Sequence, residues 1–172
     1  MFKHKRTKAK QLQFTAQITA ESDQIYRLAY CYVKNEQEAL DIVSEATYKG
    51  CIAFMKANVV TSFELWMLGI VINKAIDHMY RKEPMLFLDD FMQGGESPVV
   101  NGSIEEKMNL YKALDQLRPG EKAYIILKYF IGLSFIEMTE VLSVPEHIVE
   151  SRFYRIMEQI SVHLIDGEVE SI

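Results

Sequence analysis

Between Ile131 and Phe153 the chain carries two helix-start signals separated by a break, and this arrangement constrains its fold more than any other stretch. Ser134 followed by Glu137 is a capping box: the hydroxyl satisfies a free backbone donor of the first turn and the carboxylate reaches back to the cap. Leu142-Ser143-Val144 interrupts the pattern, and Pro145 then supplies the fixed φ and missing N–H that suit a first helical position. Val149, Phe153, Ile156 and Ile160 recur at helical spacing beyond it, leaving Glu146, His147, Glu150, Ser151 and Tyr154 on the outward face. Two helices joined so tightly have the layout of a helix-turn-helix, in whose DNA-binding versions that outward face enters the major groove.

The remainder of the chain is also helical in period. From Gln11 to about Lys56 the spacing predicts a helical hairpin, with Ile25, Leu28, Ala29 and Tyr32 on one inward face. After a polar break at Lys34-Asn35-Glu36, Ala39, Leu40, Val43, Ala46 and Tyr48 form the other. A segment from about Ser62 to Lys82 is apolar nearly all round in its first half, as a helix buried in a bundle should be, and turns polar in its second. Residues 84–103 combine two prolines with Gly94-Gly95 and Gly102, which predicts a linker. That linker is rich in apolar side chains (Leu86, Phe87, Leu88, Phe91), so it either packs on a domain or awaits a partner. Helices follow near 104–117, 119–130, 134–142 and 145–164. The expectation is therefore an all-α chain: a basic tail at 1–10, a helical domain at 11–83, the linker at 84–103, and a helix-turn-helix domain at 104–172.

Charge limits the function classes. The net charge is −5, unexpected for a DNA-binding motif, because phosphate neutralisation normally supplies most of the affinity. Lys3, Lys5, Arg6, Lys8 and Lys10 crowd the first ten positions, either as a solvated tail or as an arm that touches phosphate, so the folded part is more acidic still. No stretch approaches the roughly 20 apolar residues of a membrane span, and no apolar core or cleavage site follows the basic start. The expectation is a cytoplasmic protein without membrane insertion. Cys31 and Cys51 lack a CxxC spacing or a nearby His and read as small buried hydrophobes. Four scattered histidines, no Gly-rich phosphate loop and no nucleophile–base motif predict no metal, no cofactor and no catalytic residue.

With both halves in view, the chain resembles the extracytoplasmic-function group of bacterial RNA polymerase sigma factors, over most of residues 25–162. IYRLAYCYVKNEQEALDIVSEATY (25–48) is similar to the family segment ending Asp-aliphatic-aliphatic-Gln-Glu-x-Phe. SFELWMLGIVINKAIDHMYRK (62–82) is similar to the Trp-Leu-x-x-Ile-x-x-Asn-x-x-x-Asp-x-x-Arg segment, with Trp66, Ile70, Asn73, Asp77 and Arg81 in place. The second half resembles the four-helix promoter-binding domain at Leu117, Leu127, Tyr129, Gly132, Leu133, Ser134, Glu137 and Leu142.

The resemblance implies a sigma region 2-like domain that docks on the clamp helices of core polymerase and opens the minus-ten element, and a sigma region 4-like domain that reads the minus-thirty-five element. Carried over by position, polymerase docking falls to Asp41, Ser44 and Glu45, with Ser44 in place of the usual glutamine. Minus-ten contact falls to Asn58, Trp66, Asn73, Lys74, Asp77 and Arg81 along a stripe that changes from aromatic to polar, although Phe63 and Trp66 also suit a plain core role. Minus-thirty-five contact falls to His147, Glu150, Ser151, Arg152, Tyr154 and Arg155. Here the chain departs from the family, with Glu150 at the usual lysine position. An acid there repels phosphate where a cation would contribute on the order of 1–3 kcal/mol. The implied function is promoter recognition and transcription initiation, with an anti-sigma protein as the usual regulator. The alternative is a degenerate sigma-like module that binds polymerase or a regulator without reading a promoter.

Overall fold

The computed structural model describes residues 1–57, 62–82 and 104–169, the last of these with side chains at 110–161. All regular structure among the described residues is helical, in agreement with the all-α expectation. The chain divides into two compact units, Met1–Ser97 and Pro98–Ile172. The expected linker at 84–103 lies outside the described residues.

The first unit holds α1 (Phe2–Ala20), α2 (Ser22–Val33), α3 (Glu36–Lys56) and α4 (Phe63–Lys82). Residues 1–10, expected as a tail, belong to α1 from Phe2 onward. The expected hairpin between Gln11 and Lys56 is three helices, because the chain breaks at Glu21 (φ −97°, ψ 3°) between α1 and α2. The polar break at Lys34-Asn35 does end one helix and start the next. Lys34 takes the left-handed conformation that terminates α2, and the Asn35 side chain accepts a hydrogen bond of 2.9 Å from the Glu38 N–H. Both are compensations for backbone groups that a helix end leaves without partners.

Helices α2, α3 and α4 pack on one another, and α1 lies chiefly against α3. The buried face of α3 is Ala39, Ile42, Ala46, Gly50 and Phe54, which keeps Ala39 and Ala46 of the expected set and replaces the rest. Leu40 (44% exposed) and Tyr48 (72%) point outward. Small residues set this face because they let the α4 side chains approach. A Cβ built at Gly50 would stand 2.6 Å from the Met67 Sδ, and Met67 is fully buried. Phe14, Phe54 and Phe63 close one end of the unit, with centroids 5.5–5.9 Å apart in tilted and edge-on pairs. Cys31 is buried on α2, where desolvation pushes its thiol up to about 12 against the opposing pull of Arg27 and Lys34. It therefore stays protonated at neutral pH and packs as an apolar group.

The second unit holds α5 (Ile104–Asp115), α6 (Pro119–Ile125), which widens into a π-helical segment (Ile126–Ile131), then α7 (Phe135–Leu142) and α8 (Glu146–Val169). Gly132 closes the π segment at φ 84°, a conformation that suits a residue without Cβ. The capping box is present: the Ser134 N–H donates to Glu137 Oε2 at 2.7 Å, and the Glu137 N–H donates to the Ser134 hydroxyl at 3.2 Å. Ser143 carries the reversal at φ 55°. The Pro145 carbonyl accepts the Val149 N–H, so the proline stands at the cap, one position ahead of the expected place. Val149, Phe153, Ile156 and Ile160 are buried as their spacing predicts, on a helix that packs against α5, α6 and α7.

Candidate nucleic-acid interface

On α3 the side chains of Asp41, Ser44 and Glu45 are all exposed on successive turns, since the opposite face is used for packing. Gln37 Nε2 donates to Asp41 Oδ1 at 3.4 Å. Leu40, Tyr48 and Ile52, each at least 40% exposed, flank these acids.

On α4 the first half is core and the second half faces outward, which resolves the aromatic-to-polar stripe. Phe63 and Met67 are buried. Trp66 is half-buried, its ring centroid 6.2 Å from Phe54 and 5.8 Å from Phe63. Asn73, Asp77 and Arg81 are exposed at helical spacing and Lys74 is half-buried beside them. Asn58 lies outside the described residues.

Two acids of α3, Glu45 and Glu38, form one electrostatic system with the α4 cations. Glu45 Oε2 lies 4.0 Å from Lys74 Nζ and 3.8 Å from Arg81 Nη2. Two turns toward the start of α3, Glu38 bonds to Lys82, and its Oε2 lies 3.2 Å from His78 Nε2. The sequence reading missed Glu38, His78 and Lys82. The signal for them is the spacing of Lys74, His78 and Lys82, four residues apart on one face of α4, opposite acids seven apart on α3. These pairs also show that α3 and α4 run antiparallel.

In the second unit, His147, Ser151, Tyr154 and Arg155 form an exposed stripe on α8, with exposed Arg152 beside it and Glu150 half-buried. Arg152 Nη1 donates to the Tyr124 hydroxyl at 3.2 Å, which ties one of the two cations to α6. Tyr154 packs on Phe135 at 6.0 Å, and Lys128 sits 4.5 Å above the Phe135 ring. The exposed Tyr129 and Ile136 extend this aromatic border. Among the described residues no cluster of His, Cys, Asp or Glu is arranged to hold a metal, and no helix is long and apolar enough to cross a membrane.

Residues 18–84 match the family model for Sigma-70 region 2, which spans all of α2, α3 and α4. Across nearly the whole chain, the sequence is 29% identical over 151 residues to RNA polymerase sigma factor SigV of Bacillus subtilis, covering 86% of this chain and 88% of the relative. It is equally 29% identical over 158 residues to ECF RNA polymerase sigma factor SigW of the same organism, covering 84% of each. Residues 18–84 thus match a Sigma-70 region 2 domain, and over most of its length the chain is similar to extracytoplasmic-function sigma factors. Its fold is that of two solved structures. One is the sigma factor RpoE in complex with the anti-sigma factor NepR from Bartonella quintana, with TM-score 0.66, 19% identity and coverage of 88% of this chain and 96% of the other. The other is CnrH in complex with the cytosolic domain of CnrY, with TM-score 0.65, 21% identity and coverage of 90% and 88%. The region 2 match contains both the exposed acids of α3 and the α4 stripe.

Proposed function

We propose that this sigma factor binds core RNA polymerase through Asp41, Ser44 and Glu45, holds the separated minus-ten strand on Trp66, Asn73, Lys74, Asp77 and Arg81, and meets the minus-thirty-five element with the exposed face of α8. The observation that carries this reading is that Glu45, exposed on α3 together with Asp41 and Ser44, lies against Lys74 and Arg81 of the α4 stripe, which supports attachment to polymerase and capture of the strand on one helix pair. Asn58, in the connection before α4, completes the minus-ten set. The domain plan is a region 2-like part at 11–83, a linker at 84–103, and a region 4-like part at 104–172. The protein is a regulatory, non-enzymatic initiation factor acting in the cytoplasm, and it needs no cofactor. An anti-sigma protein is its regulator, a partner supported by the complexes in which its structural neighbours were solved.

The acidic surface dictates how this works. Glu146 and Glu150 oppose duplex phosphate, Arg152 is committed to Tyr124, and the free terminus of α8 contributes only about 0.3–1 kcal/mol as an anion site. Polymerase therefore supplies an effective concentration that makes weak contacts sufficient. The deciding experiment is titration of labelled protein with bacterial core polymerase, read by anisotropy. Saturable binding that an Asp41→Ala/Glu45→Ala double variant loses, while keeping its helical circular dichroism, is the expected result. A folded wild-type protein that fails to bind core, beside a control sigma factor that binds, would remove the reading. A second reading, a sigma-like module that docks on polymerase or a regulator without reading DNA, is favoured by the same two glutamates.

A further inference from the structure

The first 20 residues hold five of the nineteen Lys and Arg side chains and none of the twenty-four acids, which leaves fourteen cations and a net −10 for the remainder. In the fold these cations are not a random tail. Helix α1 continues unbroken from Ala20 back to Phe2, and positions 1–9 are exposed on every face. Lys3, Arg6, Lys10 and Phe14 share one side of α1, at helical spacing. Phe14 on that side is buried against Phe54 and Phe63, one ring away from Trp66. Lys10, one turn earlier, donates to the Phe54 carbonyl at 3.3 Å and to the Ala57 carbonyl, capping the last turn of α3. Beyond that anchor α3 has ended, and Lys3 and Arg6 carry the same face onward with Lys5 and Lys8 behind them.

From this placement we propose that the N-terminal half of α1 is a phosphate-binding strut: it continues the minus-ten surface from Trp66 and holds the backbone of the single strand leaving that surface. The inference deepens the proposed function and rests on its minus-ten site. The occupant is nucleic-acid phosphate because the segment offers charge without a pocket, leads through the Phe14 and Phe63 rings to aromatic Trp66, and is the most basic stretch in a chain whose remainder carries a net −10. It also accounts for how an acidic sigma factor retains a strand at all. Contacts of this kind are sequence-independent and are lost steeply with salt, by counterion release.

The test compares the full-length chain with a Lys3→Gln/Lys5→Gln/Arg6→Gln/Lys8→Gln variant, which spares the Lys10 anchor and replaces exposed positions with a good helix former. The probe is a fluorescein-labelled oligothymidylate, titrated between about 25 and 100 mM salt, where each phosphate contact contributes about 0.7 to the slope of log affinity on log salt. The expected result is a slope shallower by about 3 in the variant, so that the wild type loses about 50-fold more affinity than the variant over that fourfold rise. Equal slopes overturn the proposal. So does an unchanged slope accompanied by variant-sensitive binding to phosphatidylglycerol–phosphatidylcholine vesicles, which would make α1 a lipid-binding helix. Core polymerase binding is measured on both proteins in parallel. Its retention by both, with unequal DNA slopes, supports the strut, whereas its absence from both refutes the sigma reading and the strut's place in it.

Discussion

At the residue scale, the tightest constraint in the first unit is an atom that is missing. Gly50 lies in the middle of α3, where alanine would ordinarily stabilise a helix by about 1 kcal/mol. Here the added methyl meets the Met67 Sδ at 2.6 Å and Cε at 3.3 Å, inside a closed core. Gly50→Ala is expected to lower stability by about 1–3 kcal/mol, because a buried side chain must leave its rotamer or the helices must part. Gly120, with nothing within 4 Å of its built Cβ, is the internal control: alanine there should not destabilise. Urea midpoints of the two variants against wild type decide it. The role of Gly50 was not legible in the sequence, since periodicity ranks apolar side chains by size and places Leu40 and Tyr48 inside. The contact surface of α3 does include the expected Ala39 and Ala46, but it also takes in Gly50, whose missing Cβ is what admits Met67. Cys31, by contrast, read correctly, because a short apolar-flanked thiol with no ligand geometry nearby has little to do except pack.

At the scale of elements, α3 and α4 share their charges, and a single substitution should therefore act in opposite directions on two ligands. Glu45→Gln removes a carboxylate of the proposed docking set and at the same time frees Lys74 and Arg81. Core binding is expected to weaken by about tenfold, while affinity of the free protein for single-stranded DNA at low salt rises about two- to fivefold, the scale of an exposed ion pair. Loss of both affinities together would show that the pairs are incidental. Helix limits were legible wherever a side chain states them chemically: Asn35, Ser134 with Glu137, and Pro145 each mark a start that the fold uses. The split between α1 and α2 was not, because Ala20-Glu21-Ser22 contains neither glycine nor proline and only the packing direction of α2 imposes the break. The face of α4 was half legible. Spacing aligned Trp66 with Asn73 and Arg81, but it also admitted Phe63 and Met67, which the bundle takes for its core.

For the whole molecule, charge is divided: the first 20 residues carry five cations and no acid, and the remainder carries a net −10. Sequence composition was sufficient to separate two helical units and to pick out a basic start in an acidic chain, both properties that survive without knowing any contact. It did not show that the basic start is helical, since five cations within ten residues repel one another and α1 is held by contacts that begin only at Lys10 and Phe14. The readings that differ in whether α8 meets DNA are separated by Glu150→Lys. Restoring a cation at that position is expected to raise promoter affinity of the holoenzyme by about tenfold or more and to steepen its salt dependence by about one contact. Unchanged promoter binding, with core binding intact, would assign the face to a protein partner.

The turn between α7 and α8 is three residues, Ser143 to Pro145, and its reversal rests on Ser143 in a left-handed conformation followed by the fixed ring of Pro145. A joint so short leaves no slack to re-aim the second helix. Divergence within this scaffold must then proceed by exchanging side chains on a helix of constant pose. The glutamates on α8 can therefore be exchanged without moving the helix, whereas Ser143 and Pro145 cannot be exchanged without re-aiming it.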